Sequence, residues 1–348
     1  MVVASRQAWT YVSGVVAVAE TGLLTDGALA DLARRETSSR LRQDLRQIEA
    51  YRGLAAIAED VGWRVGLETV FVRRVRDLGH DCPDATAAEV FLLTYDYQRL
   101  RQYARGIMAR SAEVPARFAR WSDEDLERGW ERTYDSETDV AQGAAELAAA
   151  LAAAGFADSS LSAQTDRVGR PPSEGAPPDE LGCVVDLVLD RVELAAFRAR
   201  AAALGSDLID DWTREYVLLR AALAVARQRV SDDEATDALR RHLLTGPLED
   251  DWLIDLTDRP LPDVVPALAE RVGVGTEEGA VERLAVDIDD YLTERLQAAK
   301  SVAFGPERVF GYTWGLFVEN VNLRLIAEAA AFGLPAEAVA ARMRRSYT

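Results

Sequence analysis

The sequence contains very few of the side chains on which common catalytic chemistry depends. Lys300 is the only lysine, and the chain has two histidines, His80 and His242, and two cysteines, Cys82 and Cys183. A phosphate-binding loop of the GxxxxGK(S/T) type requires a lysine, and the residues before Lys300 lack its glycines. No Gly-x-Ser-x-Gly or cysteine–histidine pattern accompanies the histidines. We therefore predict no catalytic residues and no nucleotide-binding loop.

Long apolar runs are also missing. No stretch approaches the roughly 18–20 uninterrupted apolar residues of a membrane-spanning helix. The segment 11–19 (YVSGVVAVA) has the composition of a signal-peptide core, but only Arg6 precedes it and Glu20 follows at once. We expect this segment to begin the first helix. The two distant cysteines show neither metal-ligand spacing nor a disulfide framework, which is typical of the reducing cytoplasm.

The abundant residues favour helices. Ala, Leu and Val dominate an apolar fraction of 49%. Ala and Leu lose little conformational freedom in a helix, and apolar residues recur at helical spacing almost throughout the chain. The sequence therefore predicts an all-α fold. The formal net charge of −18 would repel a phosphate backbone, so we expect no nucleic-acid partner.

Two stretches interrupt the helical pattern. Residues 158–180 (DSSLSAQTDRVGRPPSEGAPPDE) are rich in Ser, Gly and Pro, which is typical of a loop or linker. Residues 259–266 (RPLPDVVP) form a smaller break. Elsewhere we expect the helices to follow one another through short turns.

One helical pattern recurs along the chain. An apolar stripe within residues 90–107 reappears after a shift of 119 positions, and a looser copy with a second apolar stripe follows 104 positions later. All three copies contain an acid, three variable residues, a leucine and an arginine. These residues, which we call the repeat signature, are Asp96, Leu100 and Arg101, then Glu215, Leu219 and Arg220, then Glu319, Leu323 and Arg324.

The acid and the arginine of each signature are five residues apart. This separation places them roughly 140° apart around a helix, so each is expected to find a partner on another helix or in solvent. Each signature helix also follows a helix and a glycine, at Gly79, Gly205 and Gly305, which predicts three related helical units. The predicted units are residues 1–133, 134–258 with the loop 158–180, and 259–348.

Aspartate pairs leave an enzymatic alternative open, because helical enzymes can bind magnesium diphosphates through such pairs. The site requires carboxylates that converge on a cavity, whereas these pairs lie beside helix starts or on polar faces. The segment 250–255 (DDWLID) comes closest, but no second cluster follows at matching spacing. We predict no metal and no cofactor. The pairs are Asp210-Asp211, Asp232-Asp233, Asp250-Asp251 and Asp289-Asp290.

The residues of the third copy resemble a known family. The segment 311–343 (GYTWGLFVENVNLRLIAEAAAFGLPAEAVAARM) is similar to the C-terminal signature of the C-type central-stalk protein of V/A-type ATPases, the counterpart of the d-type protein of eukaryotic V-ATPases. In that family a helix reading roughly E-x-x-N-L-R precedes a Gly-Leu-Pro turn. The segment 92–106 (LLTYDYQRLRQYARG) resembles the first signature of the family. Tyr11 and residues 20–33 (ETGLLTDGALADLA) resemble its opening helices. Arg99 and Leu218 stand where the first two copies would carry Asn.

The resemblance implies three related helical bundles in a pseudo-threefold, funnel-like arrangement. It also implies a non-catalytic rotor component, present once per complex, which joins the central shaft to the proteolipid ring for ATP-linked proton or sodium transport. Such a component lies on the cytoplasmic face and meets the membrane only through the ring. A metal-dependent enzyme of the prenyl-diphosphate class and an unrelated helical repeat scaffold are the alternatives.

Overall fold

The computed structural model describes residues 4–35, 37–54, 62–98, 101, 178–231, 236–275 and 280–348. Regular structure in these residues is helical, and no strand occurs among them. The prediction of an all-α fold is confirmed. The α-helices are α1 (Thr10–Ala19), α2 (Asp26–Ala33), α3 (Ser38–Leu45), α4 (Trp63–Asp81), α5 (Thr86–Glu89), α6 (92–98), α7 (Pro178–Ala202), α8 (Asp207–Ser231), α9 (Thr236–His242), α10 (Asp251–Asp258), α11 (Leu261–Val272), α12 (Ala280–Leu296), α13 (Pro306–Phe332) and α14 (Ala336–Ala340). Short 3-10 helices cover Arg6–Trp9, Glu20–Gly22, Glu49–Tyr51, Gly246–Leu248 and Gln297–Ser301.

The ends of several helices follow from local side-chain chemistry. The Thr25 hydroxyl accepts a hydrogen bond from the Ala28 amide at 3.2 Å and caps the start of α2. Thr37 caps α3 in the same way. The helix α13 ends at Gly333, whose φ of 66° is a left-handed conformation that glycine adopts without strain.

The chain divides into two compact units. The large unit contains Met1–Phe91, Phe197–Val230 and Arg259–Thr348, and the small unit contains Leu92–Ala196 and Ser231–Asp258. The predicted start of the third repeat unit, at residue 259, falls on one of these boundaries, whereas the predicted boundary after residue 133 lies outside the described residues. The division into three repeat units stays a prediction.

Two predicted breaks are shorter than expected. The helix α7 begins at Pro178, so the last three residues of the predicted loop 158–180 are helical, and its other residues lie outside the described part. The helix α11 includes most of the second break, with a proline in its first turn and Pro266 inside the helix. Proline is tolerated at a helix start because the first amides need no intrahelical acceptor.

Of the three glycines expected in turns, two lie in turns and one does not. Gly205, with a φ of 67°, joins α7 to α8, and Gly305 precedes α13. Gly79 instead lies in the last turns of α4, where an added Cβ would stand 3.2 Å from the Glu89 carboxylate. Close packing, and not a change of chain direction, therefore accounts for this glycine.

The core of the large unit is built around α13. Nineteen of its 27 residues are buried, so this helix has no continuous polar face, as the two parallel apolar stripes predict. It packs against α1 to α5 and α12. A group of aromatic rings with centroids 4.7–6.4 Å apart fills the space along α13. Its members are Phe71, Phe91, Phe197, Trp212, Tyr216, Phe310, Trp314 and Phe317.

A second apolar cluster covers the other half of α13. Leucines of α2 and α3 pack there against Leu323, Ile326 and Ala329. The stripe of α8 is buried along its whole length, from Ile209 to Ala226. Both regions are close-packed apolar interior, in which the removal of a side chain leaves a cavity.

The leucines of the signature supply a direct test of this core. Leu219 and Leu323 are 0% and 1% exposed, so we expect Leu219→Ala and Leu323→Ala each to lower the free energy of unfolding by roughly 2–5 kcal/mol. Leu334 is 51% exposed and is the matched control, with an expected change within about 0.5 kcal/mol. Chemical denaturation measures all three variants, and equal effects would contradict the assignment of the core. Leu100 lies outside the described residues.

Candidate functional site

Two of the three signature acids are buried on their helices, and the third is partly buried. Asp96 on α6 is 1% exposed and Glu319 on α13 is 3% exposed. Glu215 on α8 keeps 18% of its side chain exposed. The arginines are half-buried: Arg101 and Arg220 keep 19% and 20% of their side chains exposed. Arg324 is also half-buried.

The Glu319 carboxylate is the centre of a buried polar network in the large unit. One oxygen accepts a hydrogen bond from the backbone amide of Leu24 at 2.5 Å. The other accepts from the Tyr51 hydroxyl and from the Arg74 guanidinium, which lies 3.0 Å away. Arg74 also donates to the Tyr312 hydroxyl at 3.2 Å. Four separate parts of the chain therefore meet around one acid.

The electrostatics of this network follow from burial and charge. Desolvation, followed by the negative charge of Glu319, raises the pKa of the Tyr51 phenol well above its usual value. Tyr51 therefore stays protonated and keeps donating to the carboxylate. Burial by itself would lower the pKa of Arg74, but the neighbouring oxygens and Glu319 raise it instead. The Arg74 guanidinium therefore stays charged beside the Glu319 carboxylate, and the two form a buried ion pair.

A second network lies at the junction of α8, α12 and the segment after α14. The Asp289 carboxylate accepts from Arg220 at 2.6 Å and from Arg344 at 3.0 Å. Asn322, two residues before Arg324, holds the backbone of Arg344 by donating to its carbonyl at 2.9 Å and accepting from its amide at 2.8 Å. The second signature arginine thus shares its acid with an arginine from another part of the chain.

Two further signature charges, Glu215 and Arg101, also pair between helices. Glu215 accepts two hydrogen bonds from Arg271 of α11, at 3.1 and 3.2 Å, in the fork geometry that arginine favours. In the small unit, Arg101 donates to Asp190 and, at 3.0 Å, to Glu193 of α7. In each of these pairs, the acid or arginine of a signature binds a partner outside its own signature, as the five-residue spacing predicts.

The partner helices follow an order. The first signature arginine pairs with α7, the helix that leads into the second signature helix. The second signature arginine pairs with α12, which leads into the third. The third signature acid pairs with α4, which precedes the first. Two signature arginines and one signature acid therefore connect the three signatures in a cyclic order, each to a helix that precedes the next signature. The second signature acid, Glu215, instead binds α11.

Several aspartates of the pairs considered for a metal site have other partners. Asp210 and Asp211 both pair with Arg214 on the surface of α8. Asp250 caps α10 by accepting from the amides of Trp252 and Leu253. The pair Asp232-Asp233 lies outside the described residues. Within the described ranges, no three His, Cys, Asp or Glu side chains lie close enough together to hold a metal ion.

No protein-family model matches the chain, and no curated protein matches it either. In the part of the chain that the structure describes, no single helix has both the length and the apolar composition to cross a membrane. Two consecutive helical segments meet these two criteria only when they are counted as one span. They are Arg6–Gly22 and Asp26–Ala33, and the angle between them is 42°.

The sequence does not identify the partners Arg74 and Arg344. Arg74 is 245 residues from Glu319, and no local spacing connects them. The sequence suggests Asp289 only as a metal ligand, yet it binds two arginines. The one available signal is the almost exclusive use of arginine as the basic residue, because arginine suits fixed, forked pairing with carboxylates.

Removal of the cation should test the buried pair. Arg74→Met leaves Glu319 buried without its charge partner and should cost roughly 3–5 kcal/mol of stability. A double-mutant cycle with Glu319→Gln should give a coupling energy above about 1 kcal/mol. The surface pair Arg241 and Asp237, with side chains 70% and 78% exposed, is the control and should couple by about 0.5 kcal/mol or less. Equal coupling in both pairs would contradict a buried network.

Glu193 should give stability a defined pH dependence. Desolvation raises its pKa to about 7, although Arg101 acts in the opposite direction. The folded state then binds one proton more than the unfolded state between about pH 4.5 and pH 7, so this group lowers stability progressively as the pH rises through that window. Glu193→Gln removes the titration. Its stability relative to wild type should therefore improve by roughly 1–3 kcal/mol between pH 4.5 and pH 7.5.

Denaturation curves of both proteins at several pH values measure this difference. A Glu193→Gln profile parallel to that of the wild type would show that the carboxyl titrates normally in the folded state.

Proposed function

We propose that this chain is a non-catalytic rotor component of a V/A-type rotary ATPase, which couples the central shaft to the proteolipid ring for ATP-linked proton or sodium transport. The proposal begins from the resemblance of residues 311–343 and 92–106 to the C-type central-stalk proteins of that family. The structural observation that carries it is the cyclic order of the signature ion pairs.

Cyclic pairing is what a closed set of three related bundles requires. If each unit binds the entry helix of the next, the third unit must bind the entry helix of the first. The pair between Arg74 and Glu319 supplies that last connection. On this basis we propose that the all-α chain forms three bundles in a pseudo-threefold, funnel-like arrangement.

Torque transmission needs a body that does not deform. The dense aromatic packing along α13 and the buried ion pairs supply stiffness, because packed interiors have low compressibility. Directional pairs such as Arg74–Glu319 and Arg220–Asp289 also fix the angle between helices. A spacer between two rotating parts would use these properties and would need no reactive group.

Exposed apolar side chains are compatible with a chain that has protein partners. Tyr11 and Val18, 69% and 73% exposed, lie two turns apart on α1. Phe332 and Leu334, 81% and 51% exposed, flank the turn that ends α13. Large apolar residues that stand together in solvent mark interaction surfaces more often than isolated ones do.

The proposal includes the location and the stoichiometry. The chain would lie on the cytoplasmic face of the membrane, with one copy in each complex, and would reach the membrane only through the ring. A net charge of −18 would disfavour contact with anionic lipid headgroups, so docking would occur on the protein loops of the ring.

Affinity purification from the native cell tests the proposal. The tagged chain should recover the shaft proteins and the proteolipid ring, and recovery of neither would contradict the proposal. Phe332→Asp combined with Leu334→Asp should lower the recovery of a partner about ten-fold, because charge would be placed in an apolar contact. The control is Val230→Asp, at another apolar position, which is 57% exposed. All variants should keep the wild-type Tm.

A further inference from the structure

The residues after α14 have no regular structure, yet they are bound at many points. In the segment 343–348 the side chains of Ser346 and Tyr347 are only 7% and 1% exposed. Tyr347 lies over two glycines, Gly311 and Gly315, that are one helical turn apart on α13. The segment therefore occupies a groove in the surface of a helix.

The glycines make the groove deep enough for an aromatic ring. An added Cβ at Gly311 would overlap the Tyr347 hydroxyl and would stand 3.0 Å from the Ala299 side chain. At Gly315 it would stand 3.0 Å from Cβ and Cδ1 of Tyr347. Glycine inside a helix costs stability, so its presence at two successive turns indicates that the close approach of Tyr347 compensates.

Polar groups hold the same residue from its other side. The Tyr347 carbonyl accepts hydrogen bonds from the Gln297 amide, at 3.0 Å, and from the Lys300 ammonium. The Lys300 nitrogen also lies 4.5 Å from the centroid of the Tyr347 ring, a cation–π contact. The only lysine of the chain thus binds this segment.

The residues next to Tyr347 connect distant parts of the large unit. The Ser346 amide donates to Asp26 at 2.6 Å, and its hydroxyl donates to the Leu24 carbonyl at 2.7 Å. On the other side, the Arg345 amide donates to Asp290 of α12 at 2.6 Å. The Leu24 amide also donates to Glu319, so Leu24 connects this segment to the polar network around Glu319.

We propose that residues 343–348 are a detachable latch, and that the groove over Gly311 and Gly315 is a peptide-binding site for a tyrosine-bearing extended segment. Residues 344–348 make no backbone–backbone hydrogen bonds with one another, so their departure from the groove would leave the helices intact. Its departure removes the contacts that hold residues 24–26 to α12 and α13. The inference rests on these contacts and is independent of the proposed function.

A double-mutant cycle, measured by Tm, tests the contact between Tyr347 and the groove. Gly311→Ala should lower the Tm of the full-length chain by several degrees, because the new methyl group meets Tyr347. In the Tyr347→Ala background, Gly311→Ala should lower the Tm by clearly less. Gly14→Ala on α1, where an added Cβ meets nothing within 4 Å, is the control and should raise the Tm in both backgrounds. Additive effects of Gly311→Ala and Tyr347→Ala would overturn the proposal.

Peptide binding tests whether the latch can exchange. A fluorescent peptide of residues 340–348 (AARMRRSYT) should bind full-length Tyr347→Ala at least about ten-fold more tightly than wild type, whose groove is occupied. It should bind the Gly311→Ala, Tyr347→Ala double variant no better than wild type. If Tyr347→Ala does not fold, Tyr347→Leu replaces it, since leucine keeps apolar contact. Equal affinity for all three proteins, or no binding to any, would overturn the proposal.

Discussion

The carboxylate of Glu319 is buried on the longest described helix, so it must be surrounded by hydrogen-bond donors, and the large unit depends on this condition. The donors come from Leu24, Tyr51 and Arg74, which belong to three different parts of the chain. Apolar burial drives the collapse of these parts but is not directional. The hydrogen bonds are directional, so they select one arrangement of the surrounding helices from the many that would bury similar area.

The same constraint extends from Glu319 to the rest of the unit. Leu24 uses its amide for Glu319 and its carbonyl for Ser346, so the latch and the central network share one residue. Arg344 then continues the connection to Asp289, which also binds Arg220. Two buried acids are therefore joined through a short irregular segment, and a change at either one should be felt at the other.

The fold class and the buried stripes could be predicted because helical periodicity is a local property of the chain. The stripe at Ile209 and Trp212 needs no knowledge of the partner helix, and both residues are buried. Pairing is different, because the position of Arg74 relative to Glu319 depends on tertiary packing across 245 residues. Local propensity also predicts a break at Pro266, but the contacts of the finished helix outweigh the local cost of this proline.

The candidate site was predictable in its residue types and not in its geometry. The five-residue spacing of acid and arginine predicted partners on other helices or in solvent, and only the structure shows which helices supply them. An electron cryo-microscopy map of the assembly purified through this chain tests the central claim most directly. The account predicts one copy between the central shaft and the proteolipid ring. A chain that purifies alone, or that occupies any other place in an assembly, would contradict it.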